Sequence, residues 1–148
     1  MQRLEGDDIW DCEGIAWIVI PTNIGYKRWP QKKVQPACHV GPNVMGRGLA
    51  QDAASKYPWL PPLYGEFCWL HGPDTPVTYD MCSRTVLFPT KPMNTNEPWM
   101  SWKGKADLER IRTSARQLNN LILPRKEALS QIHVPQDKPY CGSFCRVR

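Results

Sequence analysis

Apolar runs that read as strands, alternating with segments that read as helices, predict an α/β fold whose sheet is at least partly parallel. Three observations carry that expectation. A continuous apolar run at residues 16–20 stops at Pro21. A glycine-containing loop at 43–48 leads into a helical pattern. Leu108, Ile111, Ala115, Leu118 and Ile122 then recur at helical spacing ahead of Pro124.

The chain has 148 residues, 41% hydrophobic and 22% charged, which is enough to bury a core within one domain spanning 1–148. A formal charge of +5, from 19 basic and 14 acidic residues, is too modest for wholesale disorder. The sequence pI near 9.0 suits an anionic ligand or partner, but the basic residues are dispersed and charge alone names neither. No stretch approaches the ~18 uninterrupted apolar residues of a membrane span, and the first ten residues are acidic where a signal peptide is basic and then apolar. The expectation is a cytoplasmic protein with no membrane partner. Sequence leaves its oligomeric state open.

Element by element, the run at 16–20 reads as a strand buried on both faces, with Pro21, Thr22 and Asn23 turning out of its end. Residues 26–42, with Lys27, Arg28, Lys32 and Lys33 among three prolines, read as an exposed basic loop. In the next helix Leu49, Ala50, Ala53, Ala54 and Tyr57 form one face, and Pro58 is its stop. Residues 59–63 read as a proline-rich connection, and 77–81 and 84–88 as neighbouring strands, the second closed by Pro89. A long loop at 92–104 carries Trp99 and Trp102 ahead of the amphipathic helix, and a last short strand at 130–134 precedes a polar tail. Proline, at 15 of 148 residues, is about twice its usual share of roughly 5% and stiffens these loops.

The six cysteines do not have the spacing of a disulfide framework and read as isolated reduced thiols. Cys38, His39, Cys141 and Cys145 are an alternative zinc set, without a second tight pair to support it. No metal or cofactor is expected, and His71 and His133 receive no role.

In a sheet of this kind ligands bind beyond the carboxyl ends of strands, where loops enter helices. Asn23 sits at such an end, where it fits either a turn or a ligand hydroxyl. Gly46 and Gly48 allow close backbone approach, and the following helix start offers free N–H groups to an anion such as a pyrophosphate.

Taken in order, these residues resemble the macrodomain family. Gly6, Asp7, Asp8 and Ile9 look like its opening Gly-Asp-Ile signature. The strand ending in Asn23, and Val44, Met45, Gly46, Arg47 and Gly48 before Leu49 and Ala50, look like its ribose-contacting strand and first ligand loop. Leu87, Phe88, Pro89, Thr90 and Lys91, then Trp99, Trp102 and residues 108–111, are similar to the branch of terminal ADP-ribose glycohydrolases and DNA ADP-ribose-removing antitoxins.

The resemblance spans roughly residues 4–135 and implies a three-layer α/β/α sandwich with a mixed central sheet, shortened at its C-terminus. It implies that Asp8 bonds the adenine amino group with Ile9 beside it, and that Asn23 holds the distal ribose. Val44, Met45, Gly46, Arg47 and Gly48 would line the diphosphate, and Trp99 and Trp102 would stack on a base. Lys91 would be the nucleophile that attacks the ribose anomeric carbon, a role that requires an unprotonated amine.

The tail at 136–148 diverges. Gly142 alone is left of the expected second glycine-rich loop, and Asp137 stands near the position of an assisting acid. Three functions follow as expectations: an ADP-ribosyl hydrolase acting on modified protein or nucleic acid, a non-catalytic ADP-ribose binder, and a nucleic-acid binder using the basic loop and the tryptophans.

Overall fold

A computed structural model describes residues 8–28 and 40–122. The expected strand at 130–134, the diverged tail with Asp137, the Lys32–Lys33 part of the basic loop and the zinc candidates Cys38, His39, Cys141 and Cys145 lie outside them. Within the described residues the chain is mixed α/β. Strand β1 (Ile18–Asn23), helices α1 (Gly48–Lys56) and α2 (Leu60–His71), strands β2 (Thr78–Asp80) and β3 (Thr85–Lys91) and helix α3 (Leu108–Ile122) follow in that order. Short 3₁₀ turns occupy Ile9–Cys12, Gly72–Asp74 and Pro98–Lys103.

The sheet has the order β1-β3-β2, with β1 parallel and β2 antiparallel to β3. β1 continues through Pro21 to Asn23, beyond its expected stop. It pairs with β3 on one side only among the described residues, so the missing Pro21 N–H need not interrupt that ladder. Its burial alternates, with Ile18 and Ile20 inside and Val19 40% exposed, which corrects the expectation of a strand buried on both faces. The physical reason is coverage. The core cluster joins Ile18, Ile20 and Leu87 of the sheet to Ala53, Tyr57, Leu60, Tyr64 and Cys68 of the first two helices, and takes no residue from α3.

β3 also runs through a proline. β2 pairs only with Thr85, Val86 and Leu87, so Pro89 lies past the end of that partner. The β2–β3 turn is fastened by Asp80, whose carboxylate accepts from the Ser83 N–H at 3.0 Å and hydroxyl at 2.6 Å and from Trp59 Nε1 at 3.0 Å.

α1 forms as its sequence predicts, with Ala53 and Tyr57 buried and Leu49, Ala50 and Ala54 packed against the core. α2 corrects the expected proline-rich connection. Pro61 and Pro62 stand in its first turn, where backbone N–H groups have no intrahelical partner to lose, and Tyr64 and Cys68 carry its buried face. Gly72, at φ 64°, closes it in the left-handed region.

α3 spans the predicted residues but presents a different face. Leu108 is 60% and Ile122 42% exposed, while Ser114 is fully buried. Beneath it lie the Pro89 carbonyl of β3 and the Val77 N–H just before β2, and these take Ser114 Oγ at 2.7 Å and Gln117 Oε1 at 3.1 Å. Unmet backbone polar groups recruit a polar stripe against them, because burying them unpaired is costly. Among the cysteines, Cys12 and Cys68 are free but Cys82 is disulfide-bonded, which corrects the expectation of uniformly reduced thiols. Spacing along the chain does not determine which thiols a fold brings together. No helix among the described residues is long and apolar enough to cross a membrane.

Candidate functional site

The parallel pair β1 and β3 ends at one side of the sheet, and a cleft of about 750 Å³ opens there. β1 contributes Thr22 and Asn23, the loop before α1 contributes Val44, Gly46 and Arg47, β3 contributes Thr90 and Lys91, and the turn Pro98–Lys103 contributes Trp102 and Lys103. The volume falls in the ordinary range for small-molecule sites, about 300–1,000 Å³. Among the described residues, Arg47, Lys91 and Lys103 line it without any carboxylate, so their field favours an anion.

Each wall has an identifiable support. Asn23 Nδ2 donates to the Val44 carbonyl at 2.8 Å, which fastens the loop to the end of β1. The Asn43 N–H bonds the Pro61 carbonyl at 2.8 Å, tying the same loop to the start of α2. Thr90 Oγ1 donates to the Thr22 carbonyl at 3.2 Å across the floor. Thr22 Oγ1 meets the Tyr64 hydroxyl at 2.9 Å beneath it, and burial drives that phenol well above its ordinary range. Lys91 Nζ donates to the Trp102 carbonyl at 2.9 Å. Ser101 Oγ bonds the Pro98 carbonyl and receives the Asn94 N–H, both at 2.9 Å, holding the 3₁₀ turn in place.

Of the residues singled out by sequence, Asn23, Val44, Gly46, Arg47 and Lys91 come together here, with Trp102 at the wall. Asp8, Ile9, Met45 and Gly48 do not line the cleft. Asp8 caps the turn Ile9–Cys12, its carboxylate accepting the Trp10 N–H while Asp11 accepts the Asp8 N–H. Ile9 is 46% exposed, and Met45 is buried in the core. Gly48 has φ 56°, a conformation that favours glycine, whereas a methyl at Gly46 would meet only Val44 Cγ1 at 3.7 Å. Trp99 carries the Arg28 guanidinium 3.4 Å from its ring centroid and does not line the cleft.

Sequence reasoning did not single out Thr22, Thr90 or Lys103 as site residues. The first two stand at the ends of parallel strands, the place where such sites form, and that position was the available signal. A second cavity of about 330 Å³, between α2 and the β2–β3 hairpin, is lined largely by apolar side chains such as Leu63, Phe67 and Met81 and, among the described residues, by no cation. Among the described residues, no group of three or more His, Cys, Asp or Glu side chains is arranged to hold a metal ion. No family model, curated protein or solved structure matches this chain.

Proposed function

We propose that the cleft binds ADP-ribose, free or carried by a modified macromolecule, on a macrodomain-like α/β/α scaffold. The observation that carries this reading is the meeting of Asn23, Gly46, Arg47 and Lys91 at the carboxyl ends of two parallel strands, in a cleft whose described lining has three cations and no carboxylate. Asn23 is assigned to the distal ribose. The Gly46–Arg47 backbone and the Arg47 guanidinium are assigned to the diphosphate, and Trp102, 37% exposed beside Lys103, to a flat ring or sugar face.

In the hydrolytic form of the proposal, the Lys91 amine attacks the anomeric carbon as the bond to the acceptor breaks. The acceptor leaves with a proton, and water then cleaves the ribosyl–lysine bond and restores the amine. The bond from Lys91 Nζ to the Trp102 carbonyl favours the second reading, a non-catalytic binder in which the ammonium anchors phosphate. Calorimetric titration with ADP-ribose at two salt concentrations tests binding, and product formation from an ADP-ribosylated substrate separates the two readings. Affinity that holds as salt rises supports a pocket. Affinity for nucleic acid alone, falling steeply with salt, would move the function to the basic loop that begins at Lys27 and Arg28 and to the tryptophans.

A further inference from the structure

The sequence marks Asn43 only as the first residue of the glycine-containing loop, but the fold buries it to 2% exposure. Its Nδ2 faces three oxygens: the Gly25 carbonyl at 2.7 Å, the Asn23 carbonyl at 3.0 Å and Asn23 Oδ1 at 3.2 Å. Turned over, the amide would point its oxygen at all three, so its orientation is fixed. Its own oxygen is buried without a partner among the described residues.

These contacts also fix Asn23. Its oxygen accepts from Asn43, and its Nδ2 donates to the Val44 carbonyl at 2.8 Å. Reversing the Asn23 amide would set nitrogen against nitrogen on one side and oxygen against oxygen on the other. An amide nitrogen has two hydrogens, so one N–H of this cleft-lining side chain is left uncommitted by these bonds. Asn43 further holds the Gly25 carbonyl, and Gly25 packs directly beneath Pro98 and Ser101 of the turn that carries Trp102. One buried amide thus ties the end of β1, the loop before α1 and the 3₁₀ turn together.

We propose that Asn43 is the positioning residue of the cleft, orienting Asn23 so that an N–H donor meets the ligand and selects an acceptor oxygen of its sugar–phosphate portion. The proposal rests on the ADP-ribose reading and adds the polarity of the group recognised at Asn23. The cationic neighbours agree in sign, since Arg47, Lys91 and Lys103 are all donors.

The direct test follows the assigned Asn23 side-chain amide protons by NMR while wild-type protein is titrated with ADP-ribose and, separately, inorganic pyrophosphate. The expected result is a shift of an Asn23 amide proton at saturation, alongside shifts of cleft backbone amides. Cleft amides that move while both Asn23 protons stay still would overturn this inference and leave the binding reading standing. No response to either probe would overturn both. As a second measurement, Asn43→Asp keeps the shape but removes the donating nitrogen. It is expected to weaken ADP-ribose binding at neutral pH by about tenfold or more, with loss of the wild-type Asn23 amide-proton pattern. A folded variant with wild-type affinity and that pattern intact counts against the proposal. Should the variant fail to fold, the wild-type titration still decides.

Discussion

Lys91 donates its Nζ to the backbone carbonyl of Trp102 at 2.9 Å, joining the last residue of β3 to the turn that closes the cleft. The bond holds the amine against a fixed carbonyl and keeps the turn close to the strand ends. Lys91 therefore has two separable functions, a charge facing the cleft and a tie across it.

Substitution at Lys91 separates these functions. Lys91→Ala removes both and is expected to weaken ADP-ribose binding by about ten- to a hundredfold, since hydrogen bonds to charged groups contribute on the order of 1.5–3 kcal/mol, and to abolish any product formation. Lys91→Arg retains the charge and is expected to bind within a few fold of wild type without turnover. Calorimetry and product chromatography read the two effects. Turnover that persists in Lys91→Ala would remove the lysine from the mechanism.

Glycine substitutions distinguish walls from lining. A Cβ at Gly25 would overlap the Pro98 carbonyl oxygen and lie 2.8 Å from the Ser101 Cβ, so the turn carrying Trp102 must move. Gly25→Ala is expected to cost about 2 kcal/mol, in the range of overpacked interiors, and to weaken binding with it. At Gly46 the added methyl has room in the unliganded fold. Gly46→Ala should melt like wild type, and any loss of affinity would then report a ligand occupying that space. The pair is resolved by thermal melts beside calorimetric titration.

The contrast between these two glycines shows what local pattern conveys. The sequence points to Gly46 and Gly48 because glycines before a helix are a visible pattern, yet the close approach occurs at Gly25 and Gly65, whose neighbours lie far along the chain. β1, the hairpin strands and the extent of α3 were legible because apolar runs and spacing report local periodicity. α2 was hidden by Pro61 and Pro62, which signal a loop unless they fall in a first turn. The cleft was partly legible, since Asn23, Gly46, Arg47 and Lys91 sit at strand ends and loops. Asn43 was not, because its role is set by three oxygens placed by the fold.

Alkaline pH provides a test of the core. Burial pushes the Cys68 thiol up to about 12 from an ordinary 9.0, and burial raises Tyr26, Tyr57 and Tyr64 as well. The unfolded thiol loses its proton near 9 while the folded one keeps it, so above that pH the unfolded chain binds fewer protons and stability falls. The contribution is complete below pH 9 and is lost as pH rises toward 12. Urea midpoints should decline between pH 9 and 11, and an unchanged midpoint across that interval would contradict the burial of these groups.

The rotation of α3 can be tested by comparing two adjacent residues. Ser114 is fully buried, its Oγ donates to the Pro89 carbonyl at 2.7 Å, and it receives Arg110 Nε at 3.3 Å and Nη2 at 3.2 Å. Ala115, one position on, is exposed, although the apolar spacing places it on the packed side. Ser114→Ala leaves a buried carbonyl unmet and is expected to cost about 1–3 kcal/mol, the penalty of an unsatisfied group. Ala115→Ser changes a surface position and is expected to stay within about 0.5 kcal/mol. Equilibrium urea unfolding measures both, with equal slopes required so that midpoints compare directly. The opposite ranking would mean that α3 docks through its apolar stripe, with Leu108, Ile111, Ala115, Leu118 and Ile122 against the sheet. The Pro89 carbonyl and the Val77 N–H would then need partners other than Ser114 and Gln117.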